Sequence, residues 1–219
     1  MQMTKAGFDV LRQKFRKLTQ SQVDEINFIV SEINKDNSIN YPQAAYILAT
    51  IWHETDSSML PIVEYGKGKN KTYGTWYLNS KKQKYSFKNG KKKTAYLFSE
   101  FPHLYYGRGY VRLTWFDNYE LASKKLGIDF LRNPELVCQK ESAIKIAIVG
   151  MQQGWFTTRK LKDYIHQSKK GYGKGTQVLT VLTKDVTTIP EEINTIHYFE
   201  LSFNWSVLYD RYEAEMTLS

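Results

Sequence analysis

Between Tyr41 and Glu54 the chain places Ala44, Ile47 and Ile51 at spacings of three and four, and the next such step falls on the carboxylate of Glu54. That period belongs to one face of an α-helix and to no strand. Pro42 suits the start of this helix, because its missing N–H falls where no intrahelical partner exists. An apolar stripe of this kind has to be buried, so Glu54 is expected where the apolar surface ends. The same period recurs along the chain. Thr4 is placed to cap a helix through Leu11 and Phe15, and Thr19 or Ser21 caps one through Val23, Ile26, Val30 and Ile33, ended by Asp36-Asn37-Ser38. Residues 118–126 read as a helix stopped by Gly127. Residues 141–153, with Ile144, Ile146, Ala147, Ile148 and Met151, read as the central buried helix, stopped by Gly154.

The texture changes from Tyr65 to Ser99, where aromatic residues and lysines alternate. Asn89-Gly90 lies between Tyr85-Ser86-Phe87 and Ala95-Tyr96-Leu97-Phe98. Asn-Gly tolerates positive φ at both positions, which predicts a tight hairpin turn. The expectation is a mainly α protein with a small β-hairpin lobe. Residues 1–170 form the main domain, with a lysine-rich hairpin at about 67–99. Gly171-Tyr172-Gly173-Lys174-Gly175 breaks the pattern, and residues 171–219 continue as a helical extension of the same domain, rich in aromatic residues.

Of the 219 residues, 42% are hydrophobic, enough to build a core and to exclude a disordered chain. Cys138 is the single cysteine, which rules out an intramolecular disulfide and a cysteine-rich metal site; it reads as a small buried hydrophobe. The formal charge is +9, and the excess sits between Lys67 and Lys93, a stretch without Asp or Glu. Such a patch suits a polyanionic partner: nucleic acid, a membrane surface or an acidic wall polymer. Met1-Gln2-Met3-Thr4-Lys5-Ala6 lacks the apolar run of a signal peptide, and no stretch is long enough to span a bilayer. Synthesis in a cytoplasm, with release by some other route, is the expectation.

Two carboxyl groups suggest a reaction. Cleaving a glycosidic bond takes one protonated carboxyl to donate to the leaving oxygen and one ionised carboxyl to activate water or attack carbon. Glu54, at the end of the apolar stripe, suits the first role, because burial disfavours the charged form. Glu64, beyond Asp56-Ser57-Ser58 and Pro61, suits the second. His53 neighbours Glu54 and is read as a structural hydrogen-bonding group. His53-Glu54-Thr55 is not a zinc motif, since no second histidine follows at helical spacing. Neither metal nor cofactor is expected.

Three separated segments carry a resemblance. Residues 44–55, ending Trp52-His53-Glu54-Thr55, resemble the His-Glu-Thr helix of glycoside hydrolase family 19, in particular its phage and prophage lysozymes (endolysins). Residues 59–66 are similar to their second-carboxylate segment, and residues 105–115, with Asn118-Tyr119 after them, to their substrate segment. Leu126-Gly127-Ile128-Asp129 and Asn133-Pro134-Glu135 continue the match, which spans about residues 5–165. The resemblance implies a lysozyme-like, two-lobed helical fold with a cleft. It implies cleavage of β-1,4 bonds beside N-acetylglucosamine or N-acetylmuramic acid with inversion. Glu54 would be the acid, Glu64 the base and Thr72 a residue holding the water. Tyr106, Arg108, Arg112, Trp115, Asn118 and Tyr119 would bind substrate, with Arg108 alternatively bracing Glu54. Arg112 departs from the family, which usually has glutamine there; a cation at that place suits lactyl or peptide carboxylates.

The expected function is therefore a peptidoglycan muramidase acting on glycan strands as a monomer, with no nucleic-acid partner. Made without a signal peptide in a host cytoplasm, it would act on the wall after release. A chitinase of the same family is the alternative, and a nucleic-acid-binding protein using the lysine hairpin a more distant one. Neutralising Lys91, Lys92 and Lys93 together is expected to weaken attachment to anionic envelopes at about 0.01 M salt, where charges act over ~30 Å, and to matter little at high salt. Turnover of small neutral oligosaccharides should change little; an equal loss on both would show that the hairpin shapes the site.

Overall fold

Side-chain caps at three sites start the first three helices. In the computed structural model, which describes residues 1–69, 103–165 and the backbone of four short strands between them, Thr4 Oγ1 accepts from Gly7 N at 3.3 Å at the start of α1 (Lys5–Phe15). Thr19, rather than Ser21, starts α2 (Gln20–Ile33). Its hydroxyl accepts from Gln22 N at 3.2 Å while Gln22 Oε1 accepts from Thr19 N at 2.8 Å, a reciprocal box that Ser21 has no partner to form. Asn40 and Gln43 repeat the box at α3 (Tyr41–Glu54), with Pro42 in the first turn.

These helices belong to the first of two units, Met1–Leu60 with Ala147–Ser219. The sequence shows one apolar face on α3, but every residue from Gln43 to Trp52 is buried. Phe15 stacks on Trp52 with ring centroids 4.0 Å apart, and the buried Gln43 Nε2 donates to Ile165 O at 3.0 Å. Ala44, Ala45 and Ala49 keep the helix slim enough to be enclosed. The later helix expected to be buried is buried too, at Ile144, Ile146, Ala147, Ile148 and Met151, but α3 is buried more continuously than its one-sided stripe predicts. Ile47, Leu48 and Ile51 are fully buried, each contributing ~1.5–3 kcal/mol.

Past α3 the chain reverses sharply. The buried Thr55 Oγ1 donates to Ile51 O at 2.7 Å and accepts from Met59 N at 3.0 Å. Asp56, Ser57 and Met59 all take positive φ. Ser57 N donates to Trp52 O at 2.7 Å, and Gln22 Nε2 reaches across to Ser57 O at 2.7 Å.

The second unit is Pro61–Ile146. Strand β1 (Ile62–Val63) runs antiparallel to β6 (Arg108–Gly109), with Ile62 opposite Gly109 and Val63 opposite Arg108. Between them in the chain, β2 (Tyr77–Leu78) pairs with β3 (Lys84–Tyr85), and β4 (Phe87–Lys88) with β5 (Lys91–Lys92). Lys88 opposite Lys91 leaves the two positions Asn89 and Gly90 between the strands, in the register the Asn-Gly turn predicts. The expected partner segment at Ala95–Phe98 lies outside the described residues, as does the 171–219 extension. After β6 comes α4 (Phe116–Leu126), ended by Gly127 in the left-handed conformation. It starts two residues before the expected Asn118, because the Trp115 carbonyl accepts from both Asn118 N and Tyr119 N. A 3₁₀ turn (Pro134–Cys138) leads to α5 (Lys140–Gln153), which ends at Gly154 with φ +73°. A short helix, α6 (Leu161–Tyr164), belongs to the first unit. The second unit is therefore more than the hairpin. Among the described residues no helix is long and apolar enough to cross a membrane.

Gly109 has φ +82°, and a Cβ there would lie 2.7 Å from the Val137 carbonyl oxygen. Gly109→Ala is expected to cost ~1–3 kcal/mol through the backbone conformation alone, more with the collision. A thermal melt measures it; an unchanged midpoint would contradict the packing described.

Candidate active site

Glu54 is the last residue of α3 and is half-buried, like His53 beside it. The apolar stripe therefore delivers its carboxylate to the edge of the core, as its position predicts. Thr55, which the sequence reading passed over as a site residue, pins the turn that follows. The signal for it was present: a hydroxyl one residue past a helix end can bond back to the helix and forward to the turn.

Glu64 follows β1 in the second unit. Its amide donates to Gly107 O at 2.8 Å, and its Oε2 accepts from Gly107 N at 2.9 Å. Backbone and side chain are thus tied to one residue, an extension of the β1–β6 pairing. Gly107 is buried, and a Cβ there would stand 3.2 Å from Arg112 Cβ, 3.3 Å from Glu64 Cβ and 3.4 Å from Glu64 Oε2. The glycine permits close approach.

Arg108 faces inward, with 2% of its surface exposed. Nη1 donates to Leu104 O at 3.1 Å and to the Tyr119 hydroxyl at 3.0 Å; Nη2 donates to Glu135 Oε1 at 3.3 Å. The guanidinium carbon lies 3.5 Å from the centre of the Tyr106 ring, a cation–π contact. Tyr119 in turn donates to Tyr106 O at 2.8 Å. Burial by itself pulls the guanidinium pKa down, but Tyr119, Tyr106 and Glu135 more than offset it. Burial also pushes the Tyr119 and Tyr105 phenols well up, so both remain donors, Tyr105 to Leu131 O at 3.0 Å. The resemblance gives Arg108 either the substrate or Glu54 as its partner; in this unit its carboxylate partner is Glu135, and its other contacts hold the 104–106 backbone.

The structure thus gathers Glu64, Tyr106, Arg108, Arg112 and Tyr119 around the 104–113 segment. Arg112 is exposed, and Trp115 and Asn118 are half-buried, with Asn118 Nδ2 donating to Thr114 O at 2.7 Å. Thr72 and Lys93 lie outside the described residues, and Lys91 and Lys92 are described by backbone alone. Glu135, not chosen from sequence, is the carboxylate paired with Arg108. Burial raises the Cys138 thiol, whose Sγ lies 3.7 Å from Ile62 O, so it stays a neutral packing group. Among the described residues no cluster of His, Cys, Asp and Glu could hold a metal ion.

A mostly helical scaffold with one candidate carboxyl at the end of a buried helix and another at the edge of a small antiparallel sheet has the build of a lysozyme-like glycoside hydrolase. The chain belongs to glycoside hydrolase family 19: the model of that family, described as chitinase class I, matches residues 28–178. Chitinase 10 of Oryza sativa subsp. japonica is 39% identical over 67 residues, which make up 31% of this chain and 22% of the rice protein. The match thus spans about a fifth of that relative's length. The crystal structure of chitinase C from Streptomyces griseus HUT6037 aligns with a TM-score of 0.60 at 22% identity, covering 92% of each chain. A mutant of chitinase C aligns at 0.56 and 18% identity, covering 93% of this chain and 91% of that one. These two likenesses establish the fold.

Gly107→Ala is expected to remain folded, since only a few tenths of an ångström must be yielded, but to displace the Glu64 carboxylate. A misplacement of about 1 Å costs up to ~10²-fold in rate, so glycan hydrolysis should fall by about 10-fold or more with the melting midpoint nearly unchanged. Full activity would show that the Gly107 amide does not position Glu64.

Proposed function

We propose that the protein hydrolyses the β-1,4 glycosidic bonds of bacterial peptidoglycan, as a muramidase of the endolysin kind, by general acid–base catalysis with inversion. The observation that carries this reading is the contrast between two carboxyl groups in a family 19 chain. Glu54 ends a helix buried from Gln43 to Trp52, whereas the Glu64 carboxylate accepts a backbone N–H. Glu54 donates its proton to the leaving glycosidic oxygen. Glu64 takes a proton from a water that attacks the anomeric carbon from the opposite face, with Thr72 helping to hold that water. The bond to the leaving sugar breaks as the bond to water forms, and the reducing end appears with inverted configuration.

The charge of the chain supports peptidoglycan over chitin. A formal +9, concentrated at 67–93, suits an acidic polymer and gains nothing from a neutral one. Chitin is the second reading, favoured by the names of the relatives. Its place of action under this reading is the bacterial cell wall.

Glu54→Gln retains shape but has no proton to donate. Lysis of purified peptidoglycan is expected to fall by ~10²–10⁴-fold in a folded variant; near-normal activity would sink the assignment. Real-time NMR of fresh product should show the α anomer first, and an initial β anomer would recast Glu64 as a nucleophile. Identifying the sugar at the new reducing end, and comparing turnover of peptidoglycan with chitin oligomers, separates the two readings.

A further inference from the structure

The second unit has three arginines, and two have acidic partners: Arg108 with Glu135 and Arg132 with Asp129. Arg112 is exposed and makes no hydrogen bond or ion pair among the described residues. Nor is its place loose. Leu113 N donates to Arg108 O at 2.9 Å and Arg108 N to Leu113 O at 3.3 Å, which closes Gly109–Arg112 into a tight turn. Within it Arg112 holds φ +47°, a left-handed conformation that a residue with a Cβ adopts only at a cost. Strain of this kind persists where the surroundings over-determine it, and it concentrates at functional sites.

The turn fixes where the side chain begins. Arg112 Cβ packs 3.2 Å from the point where a Cβ on Gly107 would stand, and Glu64 Cβ and Oε2 lie 3.3 and 3.4 Å from that same point. The root of the Arg112 side chain is therefore fixed against Gly107, on which the carboxylate assigned as base also closes with its Oε2 engaged by the Gly107 amide, and its exposed guanidinium reaches out from that place. A guanidinium is always charged and presents paired N–H groups that match a carboxylate bidentately. A neutral N-acetylglucosamine polymer carries no such group. A glycan with muramic acid does, as a lactyl carboxylate or as the carboxylates of an attached peptide.

We propose that Arg112 is a substrate-binding residue that recognises a carboxylate on the glycan and so selects acidic over neutral chains. The inference rests on the reading of Glu64 as a site residue and names the group on the substrate that the site grips.

Binding is measured in a Glu54→Gln background, so that no ligand is consumed. The probes are chitotetraose, a bare muramic-acid tetrasaccharide with free lactyl carboxylates, the same tetrasaccharide with those carboxyls amidated, and one bearing stem peptides. Arg112 is expected to give the acidic probes about a 10-fold advantage in Kd over the neutral ones, the size of one charge-assisted hydrogen bond. Adding Arg112→Gln should bring that ratio close to one, and Arg112→Lys should retain part of it. An advantage limited to the bare tetrasaccharide identifies the lactyl carboxylate; one limited to the peptide-bearing probe identifies the peptide. Equal Kd values for acidic and neutral probes, or a preference that survives in Arg112→Gln, would overturn the proposal. Failure of the proposed function is read separately, as absence of peptidoglycan turnover by the protein with Glu54 intact.

Discussion

A guanidinium with 2% exposure is expensive to hold, and the second unit is organised around holding it. Arg108 gives up water for the Tyr119 hydroxyl, the Leu104 carbonyl, the Tyr106 ring and one oxygen of Glu135. Its Nε has no hydrogen-bond partner among the described residues, so even this set leaves part of the desolvation unmet. The gain is geometric. The backbone from Leu104 to Tyr106 is drawn in around the cation, and the two residues that follow it, Gly107 and Arg108, are the ones that pair with Glu64 and Val63. Glu64 inherits its position from that chain of contacts.

The first unit solves its own version of the problem with a helix end. Core burial fixes α3, and the Thr55 hydroxyl turns the chain immediately after Glu54. Backbone strain marks both places. Among the described residues eight non-glycine residues take positive φ, and Asp56, Ser57, Met59, Lys67, Arg112 and Trp115 all lie close in sequence to Glu54, Glu64 or the 105–115 segment. Left-handed backbone at non-glycine residues costs free energy and is retained where the surrounding contacts impose it. Its concentration here is consistent with segments shaped for a task rather than for stability.

Family membership and fold do not by themselves choose a substrate, since one scaffold hosts several specificities. The named relatives are chitinases, whose fold this chain shares. The proposed reading of an acidic polymer rests on charge: lysines without a single acidic residue from 67 to 93, and an exposed arginine whose Cβ is held against Gly107. Long-range attraction and a specific carboxylate contact are different effects, the first screened by salt more strongly than the second.

Much of the local structure was legible from residue order. Thr4 and Thr19 act as caps, Pro42 opens α3, Gly127 and Gly154 stop helices, and Lys88 pairs with Lys91 as the intervening Asn-Gly predicts, because each of these works within one turn of the chain. The carboxylate at the end of an apolar stripe was legible for the same reason. Periodicity had no means of showing that α3 is enclosed on all sides, which depends on Phe15 and Ile165 arriving from distant segments. Nor could it pair β1 with β6, give Arg108 to Glu135, or reveal that Gly107 is a glycine so that Glu64 and Arg112 can close against it. Those are contacts between parts of the chain far apart in sequence. Local order determined the elements and the chemistry on offer; tertiary packing decided which side chains meet, because only close approach turns a charge or a missing Cβ into a site.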